Sequence, residues 1–325
     1  MGSETSIAWT NHSYNPWWGC QRVSPGCERC YAEAFSKRVG LTVWGPKTER
    51  RFFGDKHWRE PLRWNRHAKA AGERRRVFCA SMADVFEDRE DLVEPRARLF
   101  RLIEECTDLD WLLLTKRPEN VRRHAVQGGW HGSLPKHVWL GTTAENQEYA
   151  DKRIPELLKV PASVHFVSYE PALGPLTLSG AACDRCFRPV YAREDDDGGE
   201  VDGAPMCQFC THEATFDWFG LGLSWVIIGG ESGGHARPFN LAWARDVIDE
   251  CEEADAACFM KQVGARTIDT DCRVGTYAPE DKRSIAAAKA LDFGTRTFNL
   301  VLTHDGKGGD PAEWPEDLRV REFPA

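Results

Sequence analysis

Short apolar runs alternate along the chain with polar clusters and with stretches of helical periodicity. Six runs have the length and composition of buried parallel strands, at residues 77–80, 111–114, 138–140, 164–167, 225–228 and 258–260. An opening strand near Ile7, Ala8 and Trp9 makes seven. Helical patterns lie between them, at residues 94–106, 144–159 and 242–254. This alternation predicts an α/β protein with a parallel sheet and right-handed crossovers.

A polar cluster follows each of the six runs, at residues 81–84, 115–118, 142–146, 168–171, 229–232 and 261–262. A β/α barrel builds its active site from the carboxyl ends of many strands, whereas a doubly wound sheet uses mainly one crevice. The pattern therefore favours a partial (β/α) TIM-like barrel. Candidate ligand-binding residues at the strand ends are Ser81, Lys116, Glu145, Ser168, Glu170, Glu231 and Lys261. The alternative role for several of them is ion pairing around the mouth of the barrel.

Residues 179–222 interrupt the alternation, since they contain an acidic, glycine-containing stretch and no strong helical period. We interpret them as an insertion between two barrel strands. The predicted organisation is a first part of the barrel at 1–178, the insertion at 179–222, the remainder of the barrel at 223–264 and a C-terminal extension at 265–325.

The composition is that of an ordinary folded protein, with 325 residues, 42% hydrophobic and 28% charged. No apolar run approaches the roughly 18 residues that span a bilayer, and the N-terminus lacks a basic region followed by an apolar one. We expect a soluble, cytoplasmic protein with no membrane partner. In such a chain the 12 cysteines favour metal binding over a disulfide scaffold. Five of them resemble small buried hydrophobic residues, namely Cys79, Cys106, Cys251, Cys258 and Cys272.

The first cysteine group has the spacing C-x6-C-x2-C, formed by Cys20, Cys27 and Cys30. Three thiolates leave one position of a four-iron cluster without a protein ligand, and an open coordination site is where chemistry takes place. The competing interpretation is a structural zinc held by these cysteines and a histidine such as His12 or His57.

Several stretches resemble the phage and prophage three-cysteine proteins related to the radical S-adenosylmethionine superfamily. They are residues 15–33 (NPWWGCQRVSPGCERCYAE), 113–118 (LLTKRP), 139–147 (WLGTTAENQ), 166–176 (FVSYEPALGPL), 229–238 (GGESGGHARP) and 259–262 (FMKQ). The resemblance implies a partial β/α barrel of the radical S-adenosylmethionine type with a [4Fe-4S] cluster on Cys20, Cys27 and Cys30. It also implies that the unique iron binds S-adenosylmethionine and that reductive cleavage gives a 5'-deoxyadenosyl radical, which takes a hydrogen atom from a substrate.

The sequence departs from that superfamily at two places. The usual spacing is C-x3-C-x2-C with an aromatic residue before the third cysteine, whereas Arg29 stands there and Tyr31 follows Cys30. Tyr31 is therefore the candidate for the adenine contact. A Gly-Gly-Glu motif normally follows the second strand, but here it follows a late strand and ends at Glu231, so the cofactor-amine role is not transferred to it.

The second cysteine group consists of two C-x2-C knuckles, formed by Cys183 with Cys186 and by Cys207 with Cys210. This spacing is typical of four thiolates around one Zn²⁺. The sequence between the knuckles is too polar to form a core, so the metal holds the insertion together as a zinc ribbon. A redox pair and an auxiliary iron–sulfur cluster are the alternatives. We expect the insertion to present a surface to a protein partner or to substrate.

The charge distribution is uneven around a formal net charge of -8. Residues 37–76 contain 13 Lys or Arg against four acidic residues, whereas residues 184–217 contain nine acidic residues against three Arg. The basic segment also contains Trp44, Phe52, Phe53, Trp58 and Trp64. Cations interleaved with aromatic rings are typical of a surface that binds DNA, RNA or a nucleotide. The alternative is a solvated helix pair whose aromatic residues pack into the core.

Together these features predict a radical S-adenosylmethionine-like enzyme that modifies or repairs a nucleic-acid base or nucleotide. Its cofactors are a [4Fe-4S] cluster, S-adenosylmethionine and Zn²⁺. The alternative is a non-enzymatic interaction or nucleic-acid-binding protein that carries iron–sulfur or zinc on the same barrel.

Overall fold

A computed structural model describes residues 5–180, 182–183, 185–190, 217–270, 298–300 and 307–324. Its twelve described strands are β1 (His12–Ser13), β2 (Trp17–Trp18), β3 (Arg51–Phe52), β4 (Arg75–Cys79), β5 (Leu109–Thr115), β6 (Val138–Thr143), β7 (Val164–Tyr169), β8 (Leu223–Gly229), β9 (Phe239–Asn240), β10 (Ala257–Gln262), β11 (Thr267–Asp269) and β12 (Phe298–Leu300). The described α-helices are α1 (Tyr31–Arg38), α2 (Asp55–Trp58), α3 (Glu60–Ala71), α4 (Val93–Glu105), α5 (Val121–Gln127), α6 (Gln147–Leu158) and α7 (Leu241–Glu253).

Seven strands form one sheet in the order β1-β4-β5-β6-β7-β8-β10. The pairs β1–β4, β4–β5, β5–β6 and β8–β10 are parallel. A three-stranded sheet has the order β12-β11-β9, and β2 pairs with β3 in a third, antiparallel sheet. This mixed α/β architecture confirms the predicted class and the parallel sheet, and it is compatible with a partial β/α barrel.

The chain forms two compact units. The first contains Met1–Thr143 and Glu156–Phe166, and the second contains Ala144–Pro155 and Val167–Ala325. The core of the first unit lies between β4, β5 and the helices α3 and α4. Buried Leu99, Phe100 and Ile103 share one face of α4, and Phe100 stacks on Trp130 with ring centroids 4.0 Å apart. Helix α3 has proline in its first turn and ends at Gly72 with φ 65°, a left-handed cap that glycine adopts without strain.

In the second unit, α7 begins at Asn240, whose side chain accepts the N–H of Ala242 at 3.3 Å. Arg245 of α7 forms ion pairs with Asp269 and Asp317, which connects the helix to β11 and to the C-terminal segment. That segment also covers one edge of β10, because the N–H of Met260 donates to the carbonyl of Val320 at 2.8 Å. The residues predicted as a C-terminal extension therefore contribute, where they are described, to the packing of this unit.

All six main strands lie at the predicted apolar runs, each with two or three additional residues at its ends. The first of them, β4, ends at Cys79, one residue before the predicted end at Ala80. The opening strand was predicted too early. Residues 7–10 form a turn, in which the N–H of Thr10 donates to the carbonyl of Ile7 at 3.2 Å, and pairing with β4 begins only at His12. Of the predicted insertion, residues 181, 184 and 191–216 lie outside the described part of the chain.

Among the helices in the described ranges, none combines the length and the apolar character that crossing a membrane requires.

Candidate functional site

The loop with the three predicted cluster ligands begins at Gly19, directly after β2. The N–H of Gly19 donates to the carbonyl of Met82 at 3.0 Å, and the carbonyl of Cys20 accepts the N–H of Gly45 at 2.9 Å. Gly19 has φ +115°, and a side chain there would place its Cβ 2.3 Å from the carbonyl oxygen of Val43. The backbone before Cys20 is therefore held in a conformation and at a distance that only glycine allows.

Cys27 and Cys30 flank the turn that leads into α1. Cys27 ends a short 3-10 helix, and Cys30 is the N-cap of α1, where the N–H groups of Ala32 and Glu33 lie near its thiol without forming a capping hydrogen bond. Burial raises the pKa of Cys30, these N–H groups oppose the rise, and the neighbouring Cys27 adds to it. The structure therefore brings Cys27 and Cys30 into each other's electrostatic range.

The thiols of Cys20, Cys27 and Cys30 are free and partly exposed. Cys79 and Cys106, by contrast, are fully buried in the core of the same unit. The prediction that Cys79 and Cys106 act as small hydrophobic residues is confirmed, as it is for Cys251 and Cys258. The three-cysteine loop thus has thiols that a metal from solution can reach.

A buried guanidinium meets the first of these thiols. Nη1 of Arg117 lies 2.7 Å from Oδ2 of Asp84 and 3.6 Å from Sγ of Cys20. Nη2 of Arg117 donates to the carbonyl of Gln21 at 2.9 Å. Burial opposes the charge of Arg117, but Asp84 and Cys20 outweigh it and raise the pKa of the guanidinium. Burial raises the pKa of Cys20 to about 12, against the attraction of Arg117 and with the help of Asp84 and Glu87.

Asp84 is fixed by three further donors at the ends of two neighbouring strands. Its carboxylate accepts the hydroxyl of Thr115 at 2.7 Å, the N–H of Phe86 at 3.0 Å and the N–H of Lys116 at 3.1 Å. Burial alone would raise the pKa of Asp84, but Arg117 and these donors hold it below its usual range. Asp84 and Arg117 lie in two of the predicted polar strand-end clusters, but the sequence pattern alone does not distinguish either from its neighbours. β4 and β5 are neighbours in the sheet, so the clusters that follow them lie side by side. Knowledge of this strand order would have been needed to predict the pairing of Asp84 with Arg117.

Tyr31 and Ser81 lie together, as their proposed shared role requires. The exposed Tyr31 donates its hydroxyl to the carbonyl of Ser81 at 2.9 Å. Asn15, which sequence analysis did not select, donates its amide to Oγ of Ser81 at 3.0 Å and accepts the N–H of Met82 at 2.7 Å. Asn15 thereby holds the end of β4 in place.

Lys116 belongs to the same neighbourhood. Its Nζ donates to Oγ1 of Thr143 at 2.9 Å, and its charge acts on Cys30, where it lowers the pKa of the thiol against the larger effect of burial. The first unit therefore gathers the three-cysteine loop, Tyr31, Ser81 and Lys116.

In the second unit, Glu145 is fully buried and forms an ion pair with Arg153 at 2.8 Å. The carbonyl of Glu145 also accepts the N–H of Leu173 at 2.8 Å. Buried ion pairs are costly to break, since one charge would remain uncompensated. This geometry matches the ion-pairing role that sequence analysis left open for the strand-end residues.

Glu170 and Lys261 form the accessible polar pair of this unit. Nζ of Lys261 lies 2.5 Å from Oε1 of Glu170, and both side chains are about one fifth exposed, at 23% and 19%. Gln262 donates to the carbonyl of Gly230 at 2.7 Å and lies 3.4 Å from the same Glu170 oxygen. A Cβ at Gly229 would lie 3.2 Å from the Glu170 carboxyl carbon, so glycine leaves room for this carboxylate.

Glu231 and Ser168 take part in contacts that hold the fold together. The carboxylate of Glu231 accepts the N–H of Arg237 at 2.8 Å and forms an ion pair with the guanidinium of the same residue, which closes the loop after β8. Ser168 is buried in β7, and its carbonyl accepts the N–H of Ala144 at 3.1 Å.

The first knuckle of the second cysteine group forms a tight turn. The N–H of Phe187 donates to the carbonyl of Cys183 at 2.7 Å, and Cys183 donates in turn to Arg188 at 3.0 Å. Cys183 and Cys186 pack together in one small cluster. Cys207 and Cys210 lie outside the described residues.

The basic segment 37–76 divides into a packed side and a solvent side. Trp58 and Trp64 are buried, as the helix-packing alternative predicted. Arg50 is buried in an ion pair with Glu87, and Arg74 pairs with Asp110. The exposed cations of the segment are Lys37, Arg38, Lys47, Arg51, Lys56, Arg59, Arg63, Arg66, Lys69 and Arg74.

Within the described ranges, no three or more His, Cys, Asp or Glu side chains are grouped so that they could hold a metal ion. The donor chemistry nevertheless fits an iron–sulfur cluster. The three-cysteine loop offers soft thiol ligands, and Arg117 places positive charge where thiolate ligation would accumulate negative charge.

Residues 4–295 match the family described as "Protein of unknown function (DUF5131)". No curated protein and no solved structure matches the chain.

Proposed function

The chain belongs to the DUF5131 family of unknown function, and from this premise we propose that it is an iron–sulfur enzyme of the radical S-adenosylmethionine type. Its proposed substrate is a nucleic-acid base or nucleotide, which it modifies or repairs. The observation that carries the proposal is the three-cysteine loop, whose three thiols are partly exposed and whose first thiol, of Cys20, lies beside the buried guanidinium of Arg117.

Cys20, Cys27 and Cys30 are the proposed ligands of a [4Fe-4S] cluster. When bound, the cluster supplies an electron to S-adenosylmethionine and so provides the radical that abstracts a substrate hydrogen atom. Arg117 offsets negative charge at Cys20 and fixes the loop through Gln21. Its partner Asp84 keeps the guanidinium in place.

Lys116, Tyr31 and Ser81 are the residues of the first unit that we assign to S-adenosylmethionine. Lys116 suits the cofactor's carboxylate, since an ammonium group and a carboxylate form a charge-assisted hydrogen bond. The exposed ring of Tyr31, fixed by its bond to Ser81, suits the adenine. In the second unit, the accessible Glu170 and Lys261 suit polar groups of cofactor or substrate.

We further propose that Cys183, Cys186, Cys207 and Cys210 bind one structural Zn²⁺ in a zinc ribbon that presents a surface to a protein partner. The tight turn that brings Cys183 and Cys186 together supports this assignment. The expected zinc content is one ion per chain, lost in Cys186→Ala and retained in Cys27→Ala. Zinc that disappears only in Cys27→Ala would instead locate the metal at the three-cysteine loop.

The decisive experiment is anaerobic reconstitution with iron and sulfide, followed by dithionite and S-adenosylmethionine. We expect a brown protein that forms 5'-deoxyadenosine, and loss of both properties in Cys27→Ala. Cys251→Ala is the matched control, since it removes a buried thiol from α7. An intact cluster without cleavage would favour the non-enzymatic binding protein, and a colourless protein with zinc alone at this loop would refute the cluster.

A further inference from the structure

Helix α1 presents an exposed apolar face beside the three-cysteine loop. Phe35 and Val39 lie one turn apart and are 42% and 48% exposed. The ring of Phe35 meets the edge of Trp18, with centroids 5.9 Å apart. Trp18 belongs to the small hydrophobic cluster against which Cys30 packs. An exposed aromatic side chain is thus held next to the loop with the proposed reactive centre.

An exposed arginine extends this face. Pairing of β2 with β3 sets Arg51 opposite Trp18. The Arg51 guanidinium carbon lies 4.9 Å from the ring centroid of Trp18 and 5.3 Å from that of Phe53. Stacking on two rings fixes the guanidinium while leaving its donors toward solvent.

Helix α3 continues the positive charge. Phe53 contacts His57 of α2, with ring centroids 4.4 Å apart, and α3 follows directly. Arg59, Arg63 and Arg66 are exposed at i, i+4 and i+7 spacing, so they share one helical face, with about 6 Å along the axis between the first two. In the described part of the chain, neither Arg51 nor these three arginines has an acidic group within ion-pair distance.

We propose that Phe35, Arg51, Arg59, Arg63 and Arg66, together the basic aromatic surface, bind a single-stranded nucleic acid. A base stacks on Phe35, and the arginines contact successive phosphates. The surface binds one strand because a base must leave the duplex before it can stack on a protein ring. This inference deepens the proposed function, and it rests on that function only for the claim that the bound strand is the substrate.

Two features distinguish this surface from the rest of the basic segment. Arg51 stacks on Trp18, the ring that also meets the exposed Phe35, and Arg59, Arg63 and Arg66 are exposed on one face of α3. Arg74, Arg75 and Arg76 are the densest cations in the sequence, but Arg74 is paired with Asp110 and burial lowers the pKa of Arg76. An acidic protein could also bind these arginines, but its binding would not require the exposed ring of Phe35. The aromatic and the phosphate contacts can therefore be tested separately.

The test is fluorescence anisotropy of the full-length protein as purified with a labelled single strand of about 12 nucleotides and the matched duplex. We expect the single strand to bind more tightly, with strong salt dependence between about 50 and about 200 mM. The variant Arg59→Gln/Arg63→Gln/Arg66→Gln should lose at least about tenfold in affinity and about 2 in the salt slope. Phe35→Ala should weaken binding with an unchanged salt slope.

The charge-matched control is Arg101→Gln/Arg122→Gln/Lys159→Gln, which removes three exposed cations outside the basic aromatic surface. Equal losses in the two triple variants would overturn the proposal, as would duplex binding that equals single-strand binding and is indifferent to Phe35→Ala. Binding to polyglutamate but not to the oligonucleotide would assign the surface to an acidic protein. Thermal unfolding of each variant checks that the fold is intact.

Two results separate this inference from the proposed function. Oligonucleotide binding without formation of 5'-deoxyadenosine would leave the surface assigned and refute the enzyme. Formation of 5'-deoxyadenosine without oligonucleotide binding would keep the enzyme and refute the surface.

Discussion

The guanidinium of Arg117 lies between the carboxylate of Asp84, at 2.7 Å, and the thiol of Cys20, at 3.6 Å. Neither charged side chain is more than 8% exposed. The ion pair connects the ends of β4 and β5 to the three-cysteine loop. The pairing of these two strands therefore determines which side chains surround Cys20, a proposed metal ligand. The stability of this connection can be tested without any cofactor.

Arg117→Met should lower the free energy of unfolding by about 3 kcal/mol, because Asp84 would remain buried without its cation. Asp84→Asn/Arg117→Met should lose less than the single variant, since both charges are then removed. Urea denaturation of the metal-free protein measures both. A single variant within about 0.5 kcal/mol of the parent would show that solvent reaches Asp84 and that the pair has little structural role.

The accessibility of the thiols gives a second prediction. Brief treatment of the native protein with iodoacetamide should modify Cys27 first and Cys30 more slowly, because burial raises the pKa of Cys30, with buried Cys79, Cys106, Cys251 and Cys258 protected. Cys20 should react slowly near pH 8 and faster as the pH rises, because its raised pKa keeps most of the thiol protonated. Peptide mass spectrometry reports each site, and unfolded protein serves as the fully labelled control. Modification of Cys79 before Cys27 would contradict the described burial.

The strands could be predicted because most of them lie in runs of apolar residues that are buried on both faces of the sheet, as at Val77–Cys79 and at residues 111–113. The opening strand could not be located in this way. Trp9 is as buried as a strand residue, but it packs from a turn, with its ring 4.6 Å from that of Phe78. Burial of a single large residue gives no period from which a strand could be recognised.

The site was predictable only as far as residue type indicates chemistry. Cysteine spacing selects Cys20, Cys27 and Cys30, but the role of Arg117 depends on Asp84, 33 positions earlier, and on Cys20, 97 positions earlier. In the same way, Glu145 and Glu170 have equivalent positions in the sequence pattern, since each lies in the polar cluster that follows an apolar run. Only the structure distinguishes them. Glu145 is buried and forms an ion pair with Arg153 of α6, whereas the Glu170 side chain is 19% exposed.

Acidification should destabilise the first unit through His124. Burial lowers the pKa of His124 to about 4, with Arg96 and Arg123 acting in the same direction and Asp88 opposing them. The unfolded chain binds this proton near the ordinary value of about 6.5, so stability is lost as the pH falls from there toward 4. We expect a loss of about 2 kcal/mol across this range.

The measurement compares urea denaturation at neutral pH and near pH 4 for the parent and for His124→Gln, which does not titrate. The difference between the two proteins should shrink by about 2 kcal/mol on acidification. His131→Gln, at an exposed histidine, is the control and should follow the parent at every pH. Parallel pH profiles of the parent and His124→Gln would exclude His124 as the origin of the acid sensitivity.

Alanine substitutions at two glycines with positive φ can distinguish the cost of backbone strain from the cost of a steric clash near the three-cysteine loop. Gly19 and Gly40 have φ +115° and +76°, but a Cβ at Gly40 meets nothing within 4 Å, whereas one at Gly19 meets the carbonyl of Val43 at 2.3 Å. Gly40→Ala should therefore cost about 1 kcal/mol through strain alone. Gly19→Ala should cost about 3 kcal/mol, because the loop must also move away from Val43.

Urea denaturation measures both losses, and alkylation of Cys20 reports the local effect. Movement of the loop draws the partly exposed Cys20 away from its position beside Arg117, so Gly19→Ala should label faster at Cys20 while Gly40→Ala labels like the parent. If Gly19→Ala and Gly40→Ala lose equal stability and Cys20 labelling is unchanged, then the segment at Val43 moves aside without a cost in free energy. The close approach at Gly19 would then not be what positions the first cysteine.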